Sequence, residues 1–113
     1  MNIFTTLEQS KALKEAGFPQ GESNIVYYED VNPAGYTTWK YAFRVFVDTE
    51  NWETIDTPSA SEIMEEMKNK VIGLAFRYSE VRSEWIVEWR WETIWNADLL
   101  SALVEAYIKI KGE

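Results

Sequence analysis

A chain of 113 residues with 46% hydrophobic and 15% aromatic content has enough apolar material for one unaided domain, burying roughly 65% of the surface its unfolded chain exposes. The 11 Lys and Arg set against 19 Asp and Glu leave a formal charge of −8. The bases are scattered rather than clustered, which argues against direct binding to nucleic acid or an anionic membrane surface. With no cysteine and no histidine, disulfides, thiolate nucleophiles, thiolate and histidine zinc sites and Ser-His-Asp chemistry are excluded.

At the N-terminus, MNIFTTLEQSK has neither a basic leader nor a long apolar run, and no segment approaches the ~18 apolar residues of a membrane span. The expectation is a soluble protein of the cytoplasm. Thr5-Thr6-Leu7-Glu8 has the pattern of a capping box, in which a threonine hydroxyl and the Glu8 carboxylate take up free amides at a helix start. The helix should run to about Ala16, with Leu7, Ala12, Leu13 and Ala16 toward the core. Gly17 suits a left-handed stop, Phe18 a hydrophobic clasp, and Pro19 prevents continuation.

NIVYYED, Asn24 to Asp30, and WKYAFRVFVD, Trp39 to Asp48, read as two antiparallel strands joined by a turn-rich loop around Asn32-Pro33-Ala34-Gly35. In the second, Trp39, Tyr41, Phe43, Val45 and Val47 alternate with Lys40, Ala42, Arg44 and Asp48. Thr49 to Thr57 is polar and acidic apart from Trp52 and Ile55, and reads as a loop. Pro58-Ser59-Ala60-Ser61-Glu62 then starts a helix with Ile63, Met64, Met67 and Val71 on one stripe. Near Val71 the spacing changes to the alternation Ile72, Leu74, Phe76, Tyr78, which predicts a strand.

After the polar turn Glu80 to Ser83 comes EWIVEWRWETIW. It places Trp85, Val87, Trp89, Trp91 and Trp95 on one side of a period-two pattern and Glu84, Glu88, Arg90 and Glu92 on the other, as in a half-buried strand. Asn96 or its neighbourhood can cap a last helix carrying Leu99, Leu100, Leu103, Val104, Tyr107 and Ile110, with Lys109 and Lys111 complementing the dipole at its end.

The expected fold is α+β with the order α-β-β-α-β-β-α: a two-layer sandwich in which three helices cover one face of an antiparallel four-stranded sheet, in a single domain over 1–113. Trp85, Trp89 and Trp91 are expected to pack under the helices with Phe76, Tyr41 and Phe43. The open face would carry Lys40, Arg44, Arg77, Glu84, Glu88, Arg90 and Glu92.

Without histidine or cysteine, catalysis would rest on carboxylates, Lys, Tyr or Ser. The best acid pairs are Glu62 with Glu65 or Glu66, and Glu84 with Glu88. Their positions at a helix start and on a strand's water-facing side suit ordinary solvated surfaces, so no catalytic residue is assigned. Glu50-Asn51-Trp52-Glu53 with Asp56 is oxygen-rich but lacks the spacing and turning glycine of a calcium loop, and the glycines form no nucleotide-binding motif. No cofactor or metal is expected. Trp52 and Trp95, near loops, are the candidate contacts for a partner.

The opening TLEQSKALKEAGFPQG, Thr6 to Gly21, and the close ALVEAYIKIKGE, Ala102 to Glu113, resemble small uncharacterised proteins of gut-bacterial phages and prophages. The resemblance covers the two ends and departs in the middle. It implies a mobile-element origin and the cytoplasm of a bacterial host, and it carries no site residue. The functional expectation is a non-enzymatic accessory module that works by contact with a protein partner or as a homo-oligomer. The alternatives are an acidic inhibitor imitating nucleic acid on a host or phage DNA-processing enzyme, and a carboxylate-dependent enzyme.

Overall fold

The computed structural model describes residues 4–112 apart from Asn32, Asn51, Ile72 and Trp91. In chain order the elements are α1 (Leu7–Glu15), β1 (Ile25–Val31), β2 (Thr37–Phe43), a single 3-10 turn (Arg44–Phe46), β3 (Thr54–Asp56), α2 (Ala60–Lys68), β4 (Ala75–Ser79), β5 (Glu84–Trp89), β6 (Glu92–Asn96) and α3 (Leu99–Lys111). The strands form two antiparallel three-stranded sheets, β2-β1-β3 and β4-β5-β6. The expected single four-stranded sheet is therefore corrected to two sheets, and the order becomes α-β-β-β-α-β-β-β-α.

Two segments account for the difference. β3 is only three residues long and mostly polar, too short for alternation to reveal it, yet it pairs Val26 with Asp56, Tyr27 with Ile55 and Tyr28 with Thr54. The tryptophan-rich run is a hairpin rather than one strand: Trp89 pairs with Glu92, and Arg90 takes a left-handed φ of 48°. Across that reversal the parity of the faces changes. Trp95 pairs with Ile86 and so lies on the opposite face from Trp85, Val87 and Trp89, while Trp91 lies outside the described residues.

The helix ends follow local chemistry. Thr6, not Thr5, caps α1: its hydroxyl accepts from the Gln9 amide at 3.2 Å and the Gln9 side chain accepts from the Thr6 amide at 3.0 Å. Thr5 is buried and its hydroxyl bonds that of Ser10 at 2.7 Å. At the other end the Phe18 amide donates to Leu13 O and the Gly17 amide to Lys14 O, the paired bonds of a Schellman stop, with Gly17 at φ 94° as that motif requires. Ser59 caps α2 and Asp98 caps α3, and Asn96 in turn accepts from the Asp98 amide at 2.9 Å. α2 ends before Val71, which is nevertheless buried.

The core lies around α3, which touches α1, α2, β5 and β6. Leu13, Phe18, Ile63, Met67, Val87, Trp89, Ile94, Leu100, Leu103 and Tyr107 belong to one buried cluster, each full burial of such a side chain contributing about 1.5–3 kcal/mol. Trp89 and Phe76 pack there as expected, but Tyr41 and Phe43 do not: they are exposed on the other sheet. No residue of β1, β2 or β3 joins the cluster. The molecule is accordingly elongated, 50 × 27 × 22 Å, with a radius of gyration of 15.6 Å against about 13 Å for a compact chain of this length. Among the described residues no helix is long and apolar enough to cross a membrane.

Candidate interaction surface

The first sheet is fastened by one buried carboxylate. Asp56 Oδ2 accepts from the amides of Gly21, Glu22 and Ser23 at 2.9, 3.1 and 3.0 Å, and Oδ1 pairs with the Arg44 guanidinium. Arg44 Nε also donates to Ser23 O at 2.8 Å. This draws Arg44 inward, away from the open face on which alternation had put it. β2 was expected to continue to Asp48, but it stops at Phe43 and the chain tightens into the 3-10 turn, closed by the Val47 amide on Arg44 O at 3.0 Å.

The consequence is an uncovered apolar surface. Tyr41, Phe43, Val45 and Phe46 are 69%, 58%, 84% and 81% exposed. Phe43 and Phe46 meet edge to face with ring centres 6.5 Å apart, and Tyr41 meets Tyr27 of β1 at 5.9 Å. Partial burial, and then the neighbouring Tyr41, raise the Tyr27 phenol above the ordinary value. With aromatic side chains presenting ~150–250 Å² each, these four residues leave roughly 500 Å² of apolar surface in water, at the upper end of what a monomer exposes.

The edge beside it is also open, because β2 lies outermost in its sheet. The Arg44 amide donates to Asn24 O at 2.8 Å. Since hydrogen-bonded pairs alternate along an antiparallel ladder, this bond and the register of Val26 with Ala42 and Tyr28 with Lys40 turn the backbone groups of Thr38, Lys40 and Ala42 toward β1. Those of Thr37, Trp39, Tyr41 and Phe43 point to the free edge. The single charge within β2, Lys40, pairs with Asp30 at 2.8 Å, and the hydrogen bond to Asp30 raises its pKa.

Trp52 and Trp95, the tryptophans expected to meet a partner, are both exposed but belong to different sheets. Trp52 stacks on Tyr28 at 5.3 Å and shares with Phe46, Ala42 and Val47 a cleft of about 330 Å³; Tyr28 and Ala42 lie on the face opposite Tyr27 and Tyr41, so Trp52 meets the apolar surface at Phe46. Trp95 lies on β6 under the Arg82 guanidinium, 4.3 Å from the ring centre. Sequence reasoning missed Tyr41, Phe43, Val45 and Phe46 as surface residues because alternation assigned the first three to a core face. The available signal was Val45-Phe46-Val47, three consecutive apolar residues that break a period of two.

The candidate acid pairs come together only in part. Glu62, Glu65 and Glu66 line, with Glu22, a cleft of about 390 Å³ between α2 and the loop after α1. Each has a local structural partner: Ser59 for Glu62 at 3.2 Å, Lys68 for Glu65 at 3.5 Å and Lys70 for Glu66 at 3.6 Å. Glu84 and Glu88 share one face of β5, paired with Arg82 at 3.5 Å and Arg77 at 3.4 Å. In the oxygen-rich loop, Asn51 lies outside the described residues and Asp56 is already committed to Arg44 and three amides. Among the described residues no group of three or more acidic side chains is arranged to hold a metal ion.

Neither a protein-family model, nor a curated protein, nor a solved structure matches this chain.

Proposed function

We propose that the protein is a non-enzymatic contact module whose working surface is the uncovered face and free edge of the first sheet. The observation that carries this reading is the exposure of Tyr41, Phe43, Val45 and Phe46 side by side, at a sheet none of whose strands contributes to the helix-covered cluster. Burying such a patch against a second protein releases it from water, the same term that drives folding. Trp52, behind that face, joins the contact through Phe46, with which it shares a cleft; Trp95, on the other sheet, does not. The resemblance of the two ends to phage and prophage proteins supports an accessory role for a mobile element in the cytoplasm of a bacterial host.

Immobilised protein incubated with bacterial lysate tests this, with a Phe43→Ser/Phe46→Ser double variant beside the wild type. The expected result is a specific protein retained at both low and high salt by the wild type and lost by the variant, because an apolar contact is not screened. Retention unchanged in the variant, or no partner and no self-association at any salt, overturns the proposal.

A second reading rests on the cleft lined by Glu22, Glu62, Glu65 and Glu66, which suits a basic surface of the kind that binds nucleic acid. Its partner would be released by added salt and by Glu65→Gln/Glu66→Gln, and would be indifferent to Phe43 and Phe46.

A further inference from the structure

The free edge, the charge along it and the exposed area together specify a partner, and this step rests on the contact-module reading. We infer that the surface takes a second copy of this chain, β2 against β2 in antiparallel register about a two-fold axis at Tyr41, joining two three-stranded sheets into one continuous six-stranded sheet.

Three observations lead there. The backbone groups that face outward belong to Trp39, Tyr41 and Phe43, odd residues on either side of Tyr41. Laid antiparallel on a copy of itself about that centre, Tyr41 of one chain meets Tyr41 of the other and Trp39 meets Phe43, all of them hydrogen-bonding positions of both strands. An axis at Lys40 or Ala42 would instead bring together positions whose backbone groups are already used by β1.

The side chains agree with the same axis. Trp39, Tyr41 and Phe43 lie on one face of β2, so the two-fold sets Trp39 over Phe43, Tyr41 over Tyr41 and Phe43 over Trp39, an unbroken row of aromatic cross-strand pairs. Lys40 comes opposite Ala42 rather than opposite its own copy, and it is already neutralised by Asp30 at 2.8 Å. The pairing thus sets no like charges directly opposite, in a chain that elsewhere carries a net −8.

Area is the third. Just beyond the paired strand the same axis carries Val45 and Phe46 of each copy toward Thr37 and Tyr36 of the other. The exposed parts of Val31, Tyr36, Tyr41, Phe43, Val45 and Phe46 set an upper limit of roughly 700 Å² per copy on ~150–250 Å² per aromatic side chain, below the ~800 Å² per partner of a standard stable interface, which suits a concentration-dependent dimer. An open, aromatic edge strand is otherwise a liability that proteins blunt with charge or proline. Here the only charge in β2 is paired within the chain, which fits an edge that is covered in the assembled protein.

Sedimentation over a concentration series, with amide hydrogen exchange at its two extremes, tests the assignment. The expected result is a monomer–dimer equilibrium in which the amides of Trp39, Tyr41 and Phe43 gain protection with concentration, whereas those of Thr38, Lys40 and Ala42 are protected throughout. Added salt should tighten the dimer, because it screens the repulsion of two acidic chains. Tyr41→Lys, which sets two ammonium groups face to face at the axis, should raise the dissociation constant at least tenfold; Val81→Lys, at a residue 97% exposed between β4 and β5, should leave it unchanged. A monomer at every concentration overturns the inference, as does a dimer in which the three odd-numbered amides stay unprotected or which Tyr41→Lys does not weaken. A monomer that still retains a different protein through Phe43 and Phe46 overturns self-pairing alone and leaves the contact module standing.

Discussion

The two three-stranded sheets start from similar sequence patterns and end in opposite environments. β4, β5 and β6 turn Phe76, Val87, Trp89 and Ile94 onto the helix-covered cluster around α3. β1 and β2 carry an equally aromatic row, but Tyr41 and Phe43 remain in water; of its apolar residues the sheet buries only Ile25, Val26 and Ile55, outside that cluster, and it is fastened by the Asp56–Arg44 pair. Alternation therefore reports that a strand has an apolar face; what covers that face depends on elements elsewhere in the chain, here the long α3, which serves one sheet only.

Truncating the centre of the covered sheet should produce the largest change. Trp89 is 1% exposed and packs in the main cluster, so Trp89→Ala is expected to cost about 3–5 kcal/mol, read as a lowered urea midpoint with loss of near-UV circular dichroism. A cost below 1 kcal/mol would mean that the second sheet is no better packed than the first, and the contrast between them would fail.

Asp56→Asn attacks the fastening of the other sheet. The amide keeps the volume but loses the charge facing Arg44, which is only 25% exposed, and removing one partner of a pair so poorly solvated costs about 3 kcal/mol. The consequence should be regional: amide exchange accelerates at Ile25, Ile55 and Thr57 while Leu103 and Tyr107 in α3 stay protected. Uniform acceleration across both sheets would show that they unfold as one cooperative unit in spite of their separate packing.

Tyr107 gives a smaller effect of opposite sign. Its ring meets Phe18 edge-on at 5.2 Å, but its hydroxyl, like Trp89 Nε1, is buried with no hydrogen-bond partner among the described residues. Tyr107→Phe removes the cost of an unsatisfied polar group and is expected to stabilise by about 1 kcal/mol. Burial first, then the Glu66 carboxylate, raise the Tyr107 phenol above the ordinary 10.0. Below pH 10 both states keep the proton and stability is independent of this group. As pH rises past 10 the unfolded chain ionises first, so wild-type stability falls there, and the advantage of Tyr107→Phe should widen. Urea titrations on either side of that pH measure it.

How much of this could be read from the sequence divides along the same line. The helices were legible because their ends are written locally: the Gly17-Phe18 stop and the proline-serine start before α2 need only neighbours, and the Thr6 cap was misplaced by just one residue. β3 was not legible, because three residues held by pairing to β1 carry no periodic signal. The hairpin in the tryptophan run escaped because reversal at Arg90 changes parity, and an unbroken period of two cannot show a change of face. At the candidate surface, Trp52 was legible by its place in a polar loop. Tyr41 and Phe43 were not, since their exposure follows from α3 packing on the other sheet and from Arg44 turning inward to Asp56.

The smallest stability effect belongs to Phe46, 81% exposed at the end of the 3-10 turn. A surface residue without a special backbone or hydrogen-bonding role should change stability by no more than about 0.5 kcal/mol, so Phe46→Ser should leave the urea midpoint of dilute protein almost unmoved while reducing its apolar patch. That combination is what separates a phenylalanine kept for contact from one kept for packing. If association makes the wild type more stable as its concentration rises, the two proteins should have the same midpoint when dilute and diverge when concentrated. A large loss in dilute solution would instead place Phe46 among the residues that hold the first sheet together, through its edge-to-face contact with Phe43 and the cleft it shares with Trp52.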